Sequence, residues 1–138
     1  MSEKQDINIE AMAKLISLTR DGKLEWSSVS PGMVKGQQDD DIINSVFTTQ
    51  YKDKFLRLYH RKYQNIPYST AAVSGFFGAA VAASIKKKWY NEVVLELISE
   101  QGDSLWVFPK ENILQDLLKA IKYKASGAND LIKSLLQE

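Results

Sequence analysis

The chain contains no cysteine, a single histidine and three prolines in 138 residues. The missing thiols exclude disulfides, iron–sulfur ligation, cysteine nucleophiles and every zinc site that uses Cys. One imidazole, His60, cannot supply a His-paired metal site, and a conventional Ser-His-Asp arrangement would have to be built around it alone. No metal and no cofactor is expected. Charge of one sign is also lacking: Lys and Arg number 18 and Asp and Glu 17, a net charge of +1. No general field therefore draws the protein to nucleic acid or another polyanion. There is no Gly-rich phosphate loop and no nucleophile elbow, since "GFFGAAVAAS" at 75–84 lacks the Lys-Ser/Thr ending and the strand-to-helix setting these need. No catalytic residue is identified, and the reading leans away from an enzyme, although chemistry run by carboxylates, tyrosine or lysine leaves no local signature.

What is present is an ordinary globular composition, 44% hydrophobic and 25% charged, on a length that suits one domain over residues 1–138. The N-terminal "MSEKQDINIEAMAKL" carries Glu3, Asp6 and Glu10 and no unbroken apolar run of the secretory kind, so a cytoplasmic protein is expected. Residues 7–20 place Ile9, Met12, Ala13 and Ile16 on one helical stripe, with Asp6 as N-cap and Asp21-Gly22 as stop. "KLEWSSV" predicts a short strand with Leu24 and Trp26 on one face. Residues 27–42, rich in Gly, Gln and Asp, predict a surface loop, and Asp39, Asp40 and Asp41 in it lack the alternating spacing of a calcium loop.

The segments "SVFTTQY" and "KFLRLYHRKY" predict a hairpin turning near Lys52-Asp53, with Leu56, Leu58 and His60 on one face and Phe55, Arg57, Tyr59 and Arg61 on the other. A second hairpin joins "EVVLELIS" to "SLWVF" through "EQGD". From Pro109 onward a helix is expected in which Leu114, Leu118, Ile121, Ala125, Ala128, Ile132 and Leu135 form one seam, and Gly127 divides it, with Asn129 capping the second part. The fold class that follows is α+β: a mostly antiparallel sheet of about five strands packed by N- and C-terminal helices, with an inserted helical or loop segment near 66–88. Should that insertion be a crossover helix, strands 54–62 and 90–98 would run parallel instead.

The segments "GKLEW" at 22–26, "FTTQYKDKFLRLY" at 47–59, "LELISEQGDSLWVFP" at 95–109 and "LLKAIKYKASGANDLIKSLL" at 117–136 together resemble a group of small bacterial proteins of unknown function. The resemblance implies a helix, an antiparallel meander and a C-terminal helix in a bacterial cell, and it carries no active site. It leaves out residues 27–46 and residues 64–88, the apolar insertion.

That insertion is where functional expectation concentrates. From Tyr63 to Ile85 no residue is charged, and Lys86, Lys87, Lys88 and Trp89 follow. Gln64, Asn65, Pro67 and the excess of Ala over Leu make it too polar for a transmembrane span, and none is expected. Phe76 and Phe77, consecutive and hence about 100° apart on a helix, are the expected anchors of a protein partner or a second copy, with Lys86, Lys87, Lys88 and Trp89 beside them. A weak membrane-surface contact by the same residues is the lesser reading. Tyr51, Tyr59 and Tyr63 interleaved with Arg57, Arg61 and Lys62 resemble a single-strand nucleic-acid platform, but the near-zero net charge disfavours it. The function expected is therefore a non-catalytic interaction or self-associating module. The alternative is a small enzyme or ligand-binding domain with a pocket under the 28–42 loop formed by Trp26, Tyr59 and His60.

Overall fold

The computed structural model describes residues 3–34, 41–65 and 88–138. Their elements are α1 (Glu3–Arg20), β1 (Ser27–Val29), a 3-10 turn (Pro31–Met33), β2 (Ile42–Tyr51), β3 (Lys54–Asn65), β4 (Lys88–Ile98), β5 (Ser104–Val107), α2 (Ile113–Ser126) and α3 (Ala128–Leu136). The five strands form one sheet in the order β1-β2-β3-β4-β5, every neighbouring pair antiparallel. The class is the α+β arrangement that the pattern of the sequence implies. The parallel alternative is overturned: β3 and β4 pair antiparallel from Phe55↔Ile98 to Asn65↔Lys88. Of the expected insertion, Gln64 and Asn65 end β3 and Lys88 opens β4, while residues 66–87 lie outside the described residues.

Alternation along the strands builds the two faces. Leu56 and Leu58 of β3, Val93 and Leu95 of β4 and Phe47 of β2 point to the helical layer, where they meet Met12, Leu15 and Ile16 of α1 and Leu114, Leu117, Leu118 and Ile121 of α2. Each such side chain contributes on the order of 2 kcal/mol by leaving water. On the opposite face Val46, Tyr59 and Val94 are buried together, with Val29, Val34 and Ile43 packed against them. Leu24 and Trp26 both join the helix-side core, but β1 itself spans only Ser27–Val29, the end of the expected strand. Trp26 Nε1 donates to Thr19 Oγ1 at 3.0 Å, and that hydroxyl donates to Leu15 O at 2.7 Å. These bonds tie the loop to α1.

One irregularity matters for the site. In β2 the register shifts between Asn44 and Phe47, and Ser45 sits at φ 53. A bulge of this kind adds one residue and reverses the parity of the strand beyond it. Asn44, opposite His60, and Phe47, opposite Leu58, consequently share the helix-side face, although strict alternation would set them apart.

The helix ends differ from the expected ones. Asp6 lies inside α1 rather than capping it, and α2 begins at Ile113, after Pro109 and Lys110 have continued out of β5. Gly127 does divide the C-terminal helix: at φ 73 it ends α2 and starts α3, so Asn129 falls inside α3 instead of capping it. The long seam is also corrected. Leu114, Leu118 and Ile121 are buried with Leu117 and Ala120, whereas Ala125, Ile132 and Leu135 are exposed. Among the described residues no helix is long and apolar enough to cross a membrane.

Candidate functional site

The even-numbered residues of β3 carry the core as far as Leu58, and the next of them is His60. There the covering helix also changes character, from Leu114, Leu117 and Leu118 to the polar Gln115, Lys119 and Lys122. The result is a groove of about 340 Å³ between β4 and α2, floored by Val93 and Leu118 and edged by His60, Asn91, Glu92, Gln115, Lys119 and Lys122. His60 Nδ1 lies 2.9 Å from Asn44 Oδ1. With Asn44 in this orientation its oxygen can only accept, so Nδ1 carries the proton and Nε2 of the neutral ring remains an acceptor. Burial, then Lys122, then Lys62 push His60 below the ordinary histidine range, against a hydrogen bond to the Asn91 side chain that favours the charged form. The imidazole is thus neutral at pH 7, inside a rim of ammonium groups.

The opposite face holds two charge clusters. Arg61 donates from Nε to Asp41 Oδ2 and from Nη1 to Glu92 Oε1, both at 2.7 Å. Lys110 Nζ stands 2.5 Å from Glu92 Oε2, a close charge contact. Burial alone would raise Glu92, but Lys110 and Arg61 outweigh it and hold the carboxyl below its usual range. Burial likewise opposes the charge on Arg61, and Asp41 and Glu92 overcome it. The second cluster joins the central strands: buried Arg57 donates from Nε to Glu96 Oε1 at 2.7 Å and from Nη1 to Gly102 O at 2.9 Å, while Ser104 Oγ donates to Glu96 Oε2 at 2.8 Å. These bonds pin the turn between β4 and β5 to the centre of the sheet.

The aromatic and basic residues of the first hairpin therefore do not form an open platform. Tyr59 and Arg57 are buried, Arg61 is held by two carboxylates with its guanidinium 4.4 Å from the centre of the Tyr63 ring, and Tyr63 stacks on Tyr90 at 5.6 Å. Nor are Trp26, Tyr59 and His60 brought together. Tyr59 and His60 point to opposite faces, and Trp26 borders a separate cavity of about 390 Å³ with Thr19, Leu24, Ile121 and Ala125. Lys88 and Trp89 open β4 and are exposed. Phe76, Phe77, Lys86 and Lys87 lie outside the described residues, as do Asp39 and Asp40, whereas Asp41 serves Arg61. Among the described residues no group of three or more His, Asp or Glu side chains could hold a metal ion.

Two surfaces escaped the sequence reading. The His60 groove draws on Asn44 and Asn91 from flanking strands and on Lys119 and Lys122 from α2, residues far apart in the chain and united by the bulge and by strand register. The other is α3, where Leu131, Ile132, Leu135 and Leu136 are 60%, 45%, 63% and 82% exposed and no residue is buried. Its amphipathic spacing was visible, and its lack of a cover was not. No family model matches the chain, and no curated protein or solved structure does either, so the functional reading rests on this geometry.

Proposed function

We propose that the protein is a non-catalytic interaction module that pairs with a second copy of itself through α3. The observation that carries the proposal is the bare apolar face of that helix: four large aliphatic side chains within six residues, all in water. Such a patch on a folded protein marks a contact surface. A second copy fits the charges as well. In an antiparallel two-fold pair centred on Leu131 and Ile132, Asp130 of each helix meets Lys133 of the other. Both signs fall where the helix dipole favours them, Asp130 in the first turn and Lys133 in the last. A helix of nine residues is only about 14 Å long, so the contact falls short of the ~800 Å² per partner of a standard interface and the dimer is transient.

Sedimentation velocity from low micromolar to submillimolar concentration tests this. The wild type should move from monomer toward dimer across the range, and Leu131→Gln with Leu135→Gln should remain monomeric throughout. A wild type that stays monomeric at the highest concentration removes the proposal, and a double variant that associates as the wild type does moves the contact to another surface.

A further inference from the structure

We infer that the groove between β4 and α2 is a binding site for a small organic carboxylate, held with its charged end between Lys119, Lys122 and His60 and its apolar end on Val93 and Leu118. The inference is independent of pairing through α3. Its geometry has the make-up of a small-molecule site, a concave apolar floor with a few polar groups gathered at one end. Val93 and Leu118 are both buried core residues whose outer surfaces form that floor. The cavity of about 340 Å³ accommodates a compact ligand and is too small for a polymer.

The charges around the imidazole fix the sign of the ligand. From α2 come Lys119 and Lys122, from β3 comes Lys62, and β2 contributes the uncharged Asn44. From β4 comes Glu92, whose two oxygens are taken by Arg61 and Lys110, so its charge is compensated locally. Neither Lys119 nor Lys122 makes an ion pair among the described residues. The groove therefore holds positive charge in excess, next to a ring that burial, Lys122 and Lys62 discourage from taking up a proton. An entering carboxylate relieves both conditions: it meets two ammonium groups, and it restores the proton affinity of His60, whose two ring nitrogens already have the side chains of Asn44 and Asn91 for partners. Aliphatic or aromatic carbon on the ligand is required to cover Val93 and Leu118, and this separates an organic carboxylate from an inorganic anion.

His60 is the sole histidine, so in the untagged full chain its ring Hε1 proton is a single unambiguous NMR signal. The titration midpoint of that signal is to be measured alone and with sodium benzoate, benzyl alcohol or sodium chloride at matched ionic strength. Benzoate should raise the midpoint saturably, by about one unit at saturation, the scale of one charge placed nearby. Benzyl alcohol and chloride should leave it nearly unchanged. Lys119→Gln with Lys122→Gln should raise the midpoint without ligand and weaken the benzoate response at least several-fold. A benzoate effect that never saturates, or that chloride reproduces, overturns the site. Equal responses to benzoate and benzyl alcohol would show an apolar cleft with no preference for charge, and overturn it equally.

Discussion

Two adjoining helices, α2 and α3, share one amphipathic pattern and meet opposite fates. Leu114, Leu117 and Ile121 of α2 are at most 1% exposed, while Leu131 and Leu135 of α3 are more than half exposed. The difference lies in what stands opposite. α2 lies against α1 and against β4, so its apolar stripe is covered twice over. At Gly127 the chain leaves that direction, and among the described residues α3 has substantial contact with α2 alone. A period of three and four says that a helix has an apolar face. It does not say whether the same chain supplies the partner.

The strongest way to test the contrast is to cut the covered face. Leu117 has no exposed surface, and Leu117→Ala should cost about 2–5 kcal/mol, the transfer term plus the cavity left behind. Urea unfolding followed by circular dichroism reads it directly. A loss below about 1 kcal/mol would mean that the α2 interface is loose enough to collapse around the deletion, and the contrast with α3 would lose its meaning.

The legible part of this protein was the part governed by local rules. The two hairpins followed from β-branched and aromatic runs separated by turn residues, and the alternation of Leu56, Leu58 and His60 against Arg57 and Tyr59 was correct to the residue. What failed needed either the exact helix boundary or distant partners. The caps at Asp6 and Asn129 were plausible by residue type, yet α1 extends past the first and Gly127 takes the place of the second. The grouping of Trp26 with His60 failed because the indole is claimed by Thr19, and Tyr59 was lost to it by facing the other way. The groove at His60 was invisible because Asn44 reaches that face through a bulge at Ser45, and nothing in "IINSVF" announces an extra residue.

A smaller effect is expected at the joint itself. Gly127 adopts φ 73, and a Cβ built there meets no atom within 4 Å, so Gly127→Ala is sterically open and pays only the left-handed backbone penalty. That penalty is about 1–2 kcal/mol for an L-residue. The variant should lose roughly this much in urea unfolding, with unchanged far-UV circular dichroism. If helicity and stability rise together, the chain has instead straightened through residue 127, and the break between α2 and α3 is a local preference of glycine rather than a demand of the fold.

The smallest effect belongs to the bare face. Leu131 and Leu135 are already in water in the single chain, so replacing them removes little buried area, and glutamine matches leucine in helix propensity. Leu131→Gln with Leu135→Gln should therefore leave unfolding free energy within about 0.5 kcal/mol of wild type in dilute solution, as for other surface positions. Dimerisation binds only the folded state and adds stability by mass action, so the two proteins should separate as concentration rises, the wild type gaining and the variant not. That divergence distinguishes a helix face kept for a partner from one that is merely exposed. If instead the variant is already 2 kcal/mol less stable when dilute, α3 is packed within its own chain in solution, and its likeness to α2 is greater than the static fold shows.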